Sequence, residues 1–194
     1  MSGAGHGHGA EDHGGPQNRR IALLISVLAL VLAFAETLGK SAQTTAIDKN
    51  IEASNLWSFF QAKTIRMTVV RTAAEAAELE LNQVSLPKTR EAVTQRVASW
   101  RKTAERYDSE PETQEGRKEL AARAKLAETV RDRALAAYHH YEMASAALQI
   151  GIVLASAAIS TGMAVPAWTA IGLGAVGVVF CGIAFFAPLA VHLF

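Results

Sequence analysis

Apolar and polar positions divide the chain into a long polar middle and two apolar ends. Of its 37 charged residues, 32 lie between Lys40 and Glu142, and Glu36 is the one charged residue in segments 21–38 and 144–194. About 20 apolar residues cross a bilayer core of ~30 Å. The pattern therefore predicts three membrane-spanning helices, within the apolar segments Ile21 to Leu38, Ala144 to Met163 and Ala167 to Phe194.

We expect an all-α membrane protein with three transmembrane helices and a long helical, coiled-coil-like extramembrane hairpin between spans 1 and 2. The middle is rich in helix formers, and Pro87 and Pro111 mark its breaks because proline disfavours helix in the residue before it. The expected segments are a disordered Gly- and His-rich tail (1–18), spans at 19–38, 144–163 and 167–190, and an arm (39–143) with helices of about 41–85, 88–108 and 112–143.

Small residues recur at steps of three and four along each apolar segment, which places them on one helix face. In lipid, small residues let helix backbones approach closely, so these stripes predict a tightly packed bundle, within one chain or between chains. The residues that we expect to pack are Ala29 and Ala33 in the first span, Gly151 and Ala155 in the second, and Gly174 and Gly177 in the third.

The segment NLWSFFQAKTIR at 55–66 places bulky aromatics in a helix that is apolar on two sides. One side carries Leu56, Trp57, Phe59 and Phe60. A second arc carries Ile47, Ile51, Ser54, Ser58, Ala62, Ile65 and Val69. Trp57 lies 19 residues beyond Leu38, about 28 Å along a straight helix, which is out of reach of lipid. The aromatics either fill a core where helix 88–108 folds back, with Trp100 meeting Trp57, or contact another subunit or protein.

Polar residues cluster at the expected membrane edges. Glu36 and Lys40 are one helical turn apart in the order that favours pairing, and an ionisable group in a span is a functional candidate by default. His139 and His140 precede the second span and should lie near the same level. They form either part of an interfacial belt or a site that relays protons, senses pH or binds a metal.

The sequence offers no constellation for catalysis, so we expect no enzyme activity, no cofactor and no small-molecule substrate. The middle region has 17 basic and 15 acidic residues, well mixed, which argues against a nucleic-acid partner. His6, His8 and His13 lie in the tail and are too few to specify a metal site. The glycines of Gly172-x-Gly174-x-x-Gly177 lie inside an apolar span, where a dinucleotide fingerprint cannot function.

Two motifs carry a resemblance to a known family: ETLGK-x-AQT, followed by NIEASN-x-W-x-F-x-QAK. Over about 18–70 the chain resembles an uncharacterised bacterial membrane-protein family that is catalogued only as a domain of unknown function. The resemblance implies a bacterial inner-membrane location. It implies no activity and no site residues.

The expected function is that of a non-enzymatic membrane scaffold or accessory subunit, which forms homo-oligomers or docks a larger membrane complex. The alternative is a small oligomeric channel or transporter component, with Glu36, His139 and His140 lining a polar path. A metal-responsive sensor that uses the His-rich tail is a third hypothesis. Basic residues near the membrane ends favour a cytoplasmic middle region, with the N-terminus outside.

Overall fold

The computed structural model describes residues 15–81, 83 and 85–191, and these residues contain four helices and no strand. The helices are α1 (Pro16–Leu81), α2 (Pro87–Asp108), α3 (Arg117–Thr161) and α4 (Ala164–Phe186). Helices α1, α3 and α4 are each long and apolar enough to cross a membrane, judged by length and composition. The expected all-helical class with three candidate spans is confirmed, while the predicted tail at 1–14 lies outside the described residues.

Helix α1 runs for 66 residues without a break. Proline occupies its first position, where the missing N–H costs nothing, and its one glycine, Gly39, is tolerated in a long helical context. Helix α3 is also continuous across residues 143 and 144. The boundaries drawn at 38/39 and 143/144 are therefore changes of composition within single helices, because hydropathy can change without any helix breaker.

Proline and the polar turn residues set the inner ends of the helices. Pro87 is the first residue of α2, one position before the expected start. Helix α3 begins at Arg117, five residues later than expected, because residues 109–116 form a folded turn instead of a first helical turn. In this turn Gln114 has a positive φ of 59°, and the Glu119 carboxylate accepts hydrogen bonds from the Ser109 hydroxyl (2.7 Å) and the Glu110 backbone N–H (3.1 Å).

A tight turn joins α3 to α4. Gly162 has a φ of +67°, the left-handed conformation that glycine adopts at a helix end without steric cost. The turn is short because Pro166 fits within the first turn of α4, which begins at Ala164, three residues before the expected start of the third span. Helix α4 ends at Phe186, before Pro188 and four residues short of the predicted limit.

The chain divides into two compact units. The first contains the residues up to Gln43 and those from Leu135 onward, and the second is Thr44–Ala134. In the first unit, Leu28 of α1 inserts between Gly151 of α3 and Gly174 of α4, where a methyl group on either glycine would approach the Leu28 side chain to 3.5 or 2.6 Å. Leu148 fills an equivalent space beside Gly177. At Gly174 and Gly177 the leucine side chains thus enter spaces that an added methyl group would overfill, which gives the close packing found in protein interiors.

The second unit pairs α1 with α2 and with the first part of α3. Its largest apolar cluster, here called the inner cluster, consists of Leu56, Leu120 and Ala124 with Trp57 and Phe60 packed against them. Further along α1, Glu78 forms an ion pair with Arg101 of α2 at 2.6 Å. Helix α2 faces inward at Val97 and Ala104, which are 5% and 2% exposed.

Candidate functional site

One face of α1 in the second unit is uncovered over its whole length. Every residue of this outer face is exposed, including Ile47 (54%), Ile65 (65%) and Val69 (62%). None of them is charged. The outer face consists of Ile47, Ile51, Ser54, Ser58, Ala62, Ile65, Val69, Thr72, Ala76 and Leu79. Its first seven members are the second arc of the sequence prediction, and the structure extends it by three positions.

Two hydroxyl groups on or beside the outer face donate hydrogen bonds within their own helix. Ser58 donates to the backbone carbonyl of Ser54 at 2.9 Å, and Thr68 donates to that of Thr64 at 3.0 Å. Such local bonds leave a helix surface with no demand for a polar partner. A shallow groove of about 580 Å³ lies on this side of the helix, and all of its lining residues belong to α1: Thr64, Ile65, Thr68, Val69, Thr72, Ala73 and Ala76.

Most of the aromatic side of α1 fills a core within the chain, the first of the two alternatives, but against α3 and not against helix 88–108. Leu56 is 7% exposed, and Trp57 and Phe60 pack with it against α3 inside the chain. These three side chains are therefore covered intramolecularly and are not a free docking surface. Phe59 points away from the inner cluster and is 64% exposed, so its predicted contact with another protein stays a prediction.

Polar contacts hold the inner cluster in register. The Trp57 indole donates from Nε1 to Glu128 Oε1 of α3 at 2.9 Å, and its ring meets Phe60 edge-on with centroids 5.4 Å apart.

The alternative in which Trp57 meets Trp100 is wrong. Helix α2 meets α1 where Arg101 contacts Glu78, and Glu78 lies 21 residues beyond Trp57, about 30 Å along the helix. Trp100 is half-buried on α2.

A charged cluster lies where the α2–α3 turn meets α1, near the middle of the α1 part of the second unit. The Arg117 guanidinium lies over the Phe60 ring, 5.0 Å from its centroid, and contacts Asp108 at 3.3 Å. Lys63 reaches Glu110 and Glu115, each at 3.8 Å, and lies 5.3 Å from the Tyr107 ring centroid. These cation–π and ionic contacts fix the turn on α1.

Two carboxyl groups that flank this turn, on α2 and α3, have a lowered pKa. A hydrogen bond from Lys118, at 2.9 Å, lowers the pKa of Asp108 most strongly, and the Lys118 and Arg117 charges add to it. For Glu119 the hydrogen bond from the Ser109 hydroxyl has the largest effect on the pKa, and the Glu110 backbone N–H adds to it. Both groups therefore favour their ionised form in the folded chain.

The polar residues predicted for the membrane edge lie in the first unit. Glu36 is exposed, and its Oε1 accepts a hydrogen bond from Gln149 Nε2 at 3.2 Å. Gly39 lies so close to Tyr141 that a methyl group there would be 3.1 Å from the Tyr141 Cβ. Lys40 and His140, the next residues on either side of this contact, are thus brought to one level.

The two histidines have different surroundings. His140 is 1% exposed, its Nε2 lies 3.1 Å from the Pro188 carbonyl oxygen, and its ring stacks on Phe180 with centroids 6.0 Å apart. His139 is half-exposed, with Nδ1 3.7 Å from Glu142. Among the described residues, no group of three or more His, Cys, Asp or Glu side chains is arranged to hold a metal ion. His6, His8 and His13 lie outside the described residues.

The small residues of the spans divide into two groups. Gly151, Ala155, Gly174 and Gly177 are buried between α3, α4 and α1. Ala29 and Ala33 are exposed, and α1 instead contributes Ile21, Leu28 and Ala35 to this interior. Within the chain, then, the predicted packing role of Ala29 and Ala33 is not seen, and their packing against a second chain stays a prediction.

Comparison with known proteins gives a family and no activity. A family model described as Domain of unknown function (DUF4337) matches residues 17–187. The chain belongs to the DUF4337 family. The expectation of a family catalogued only as a domain of unknown function is thereby confirmed. No curated protein and no solved structure matches the chain.

Sequence reasoning on this DUF4337 chain missed the charged cluster around Arg117 and Lys63. These residues come from three helices, and the polar pattern of the middle region resembles any solvated helical surface. One partial signal was available: Glu119 follows Gly116 by three residues, the spacing of a capping glutamate, although in the structure its carboxylate bonds to Ser109 and Glu110.

Proposed function

We propose that the protein is a membrane scaffold or accessory subunit without catalytic activity, which self-associates or docks a larger membrane complex. Helices α1, α3 and α4 anchor it in the bilayer, and the second unit is its extramembrane arm, a helical hairpin between the first two spans. The outer face of α1 is the contact surface of this arm. We propose this face in place of the aromatic side of α1, because most of the aromatic side packs within the chain.

The observation that supports this proposal is the exposure of the outer face. Fully burying a Val, Leu or Ile side chain stabilises a protein by about 1.5–3 kcal/mol relative to leaving it in water. Ile47, Ile51, Ile65, Val69 and Leu79 are each 54–72% exposed and lie on one helix face. Ile65 is 27 residues beyond Leu38, about 40 Å along a helix, so lipid does not cover it. A protein partner supplies the missing burial.

The proposed location is the bacterial inner membrane, with the arm on the cytoplasmic side. Lys40, Lys49, Lys125, Arg131 and Arg133 lie near the ends of the apolar segments on the arm side, and cytoplasmic segments carry such an excess of basic residues. An arm cysteine, introduced at the exposed Ser99 of α2 in a Cys181→Ala background, tests this side, because Ser99 lies off the outer face. A membrane-impermeant maleimide should label it in inside-out vesicles and leave it unlabelled in intact spheroplasts.

The experiment that tests the function is a mass measurement on the particle purified from its native membrane in nanodiscs, with all components identified by mass spectrometry. A homo-oligomer, or a fixed ratio to other membrane proteins, supports the proposal. A strictly monomeric particle with no co-purifying protein would refute it.

A second candidate function, an oligomeric channel or transporter component, is favoured by the Glu36–Gln149 pair. Both side chains are exposed on the helices of the first unit. In a membrane span, a carboxylate that faces lipid is costly, whereas one that lines a polar path or lies at the membrane–water interface is tolerated. His139 and His140 lie at the edge of the same unit. Replacing Glu36 with Gln should change proton or ion flux in proteoliposomes. Absence of flux with both proteins would eliminate this candidate.

A further inference from the structure

We infer that the occupant of the outer face is a second copy of this chain, whose α1 runs parallel to the first, so that each outer-face residue meets its own counterpart. This inference rests on the proposed function and names the partner of the same surface. Three properties of the face support it: its shape, its area and the direction in which the copies leave the membrane.

The shape of the face requires a rod-like partner. From Ile47 to Leu79 the outer face extends over 32 residues, about 48 Å of helix. Its members recur at steps of three and four, so they form a nearly straight strip of the kind that another helix of equal periodicity covers. The groove at Thr64–Ala76 has lining residues from α1 alone. A second helix laid along α1 would supply its opposite wall.

The area of the face approaches the lower limit for a specific interface between two copies. The exposed parts of Ile47, Ile51, Ile65, Val69 and Leu79 amount to about three whole aliphatic side chains per copy, or about six in a dimer. At roughly 100 Å² for each buried side chain, these contribute about 600 Å². The remaining five outer-face residues of each copy bring the total near the ~1,000 Å² that a specific interface needs.

The composition and orientation of the face favour an identical partner. Because the face has no charged residue, two copies can meet without like-charge repulsion. The face also offers no charge that a different protein of opposite charge would recognise. Ser54, Ser58 and Ala62 form a stretch of small side chains at which two helices can approach closely. Two copies anchored in one bilayer with the same topology extend α1 in the same direction, so their faces meet in parallel and in register.

The test is disulfide cross-linking of single-cysteine variants of the full chain in native membranes. Ser58→Cys and Thr72→Cys, each in a Cys181→Ala background, place a thiol on the outer face. Phe59→Cys is the matched control, because Phe59 is equally exposed but lies about 100° around the helix. A disulfide requires Cα atoms within about 7 Å, which a parallel pair of outer faces provides at positions 58 and 72 and not at 59.

The inference predicts covalent dimers for Ser58→Cys and Thr72→Cys, and none for Phe59→Cys. Dimers at Phe59 without dimers at Ser58, equal dimers at all three positions, or no dimers at any position would overturn it. All three residues are exposed, and circular dichroism should show unchanged helicity. If cross-linking fails while the native particle holds another protein in fixed ratio, this inference fails and the proposed function stands. A partner-free monomer contradicts both.

Discussion

The Trp57 indole Nε1 donates a hydrogen bond to Glu128 Oε1 at 2.9 Å and so joins two helices at positions 71 residues apart in sequence. Long-range polar contacts of this kind fix which residues of two apolar helices face each other, because apolar packing alone tolerates small shifts. Beside this bond, Leu56 packs on Leu120 and Ala124. The pair therefore defines the register of the inner cluster.

Replacing Trp57 with Phe should lower the free energy of unfolding by roughly 1–2 kcal/mol, because the variant loses a hydrogen bond to a charged acceptor. Glu128→Gln retains an acceptor for the indole and should have a smaller effect. Denaturant unfolding of the full chain in detergent, followed by circular dichroism, measures both. A Glu128→Gln loss equal to that of Trp57→Phe would show that the charge, and not the contact geometry, is what matters.

Gly177→Ala should destabilise the first unit by about 1–3 kcal/mol, the usual cost of an overfilled interior. The added methyl group would lie 2.7 Å from Leu148 Cγ and 3.2 Å from the Ala144 carbonyl oxygen, and Leu148 is fully buried and has no space to move into. Thermal unfolding in detergent measures the change. Gly172→Ala is the matched control on the same helix, since nothing lies within 4 Å of its added methyl group, and it should be neutral.

The second unit should lose stability in acid. The lowered pKa values of Asp108 and Glu119 mean that the folded chain binds protons less readily than the unfolded chain, whose groups titrate near their ordinary values of 3.8 and 4.5. Their stabilising effect is complete above those values and is lost as the pH falls through the lower folded values. Denaturant midpoints measured from pH 7 down to pH 2.5 should therefore stay level and then fall below about pH 4.5.

A matched variant identifies the source of that acid sensitivity. Lys118→Ala removes the largest cause of the Asp108 pKa shift, so its midpoint at neutral pH should be lower and its fall in acid shallower. The double variant Asp108→Asn, Glu119→Gln should flatten the profile further. If the denaturant midpoint of the double variant still falls in acid to the same extent, groups other than Asp108 and Glu119 are responsible.

Charge placed on the outer face should break the association without unfolding the chain. Ile65→Asp and Val69→Asp alter side chains that are 65% and 62% exposed, so we expect native helicity but a smaller particle, because a buried unpaired carboxylate is strongly unfavourable in an interface. Arg66→Asp, an exposed neighbour off the outer face, is the control and should leave the mass unchanged. The mass of the nanodisc particle measures all three variants.

The sequence predicted the helices well because its signals are local. Proline at 87 begins a helix and glycine at 162 follows the end of one, for reasons contained within a few residues. It was less informative about which apolar side of α1 faces inward, since both sides offer similar burial energy. That choice depends on α3, where Leu120 and Ala124 complete the inner cluster and Glu128 accepts the indole proton. The same problem arose for Ala29 and Ala33, because a stripe of small residues does not show whether it packs against helices of its own chain or of another chain.

The pairing of α1 with α3 also has a consequence for synthesis of the chain. Leu56 and Trp57 are made early, but their partners begin at Leu120, about 40 residues after α1 ends at Leu81. At the usual 5–20 residues per second, translation needs about 2–8 s to deliver them. During that interval a nascent α1 has apolar surface on both sides. The inner cluster thus forms only after α3 is made, and the aromatic side of α1 stays without its partner until then.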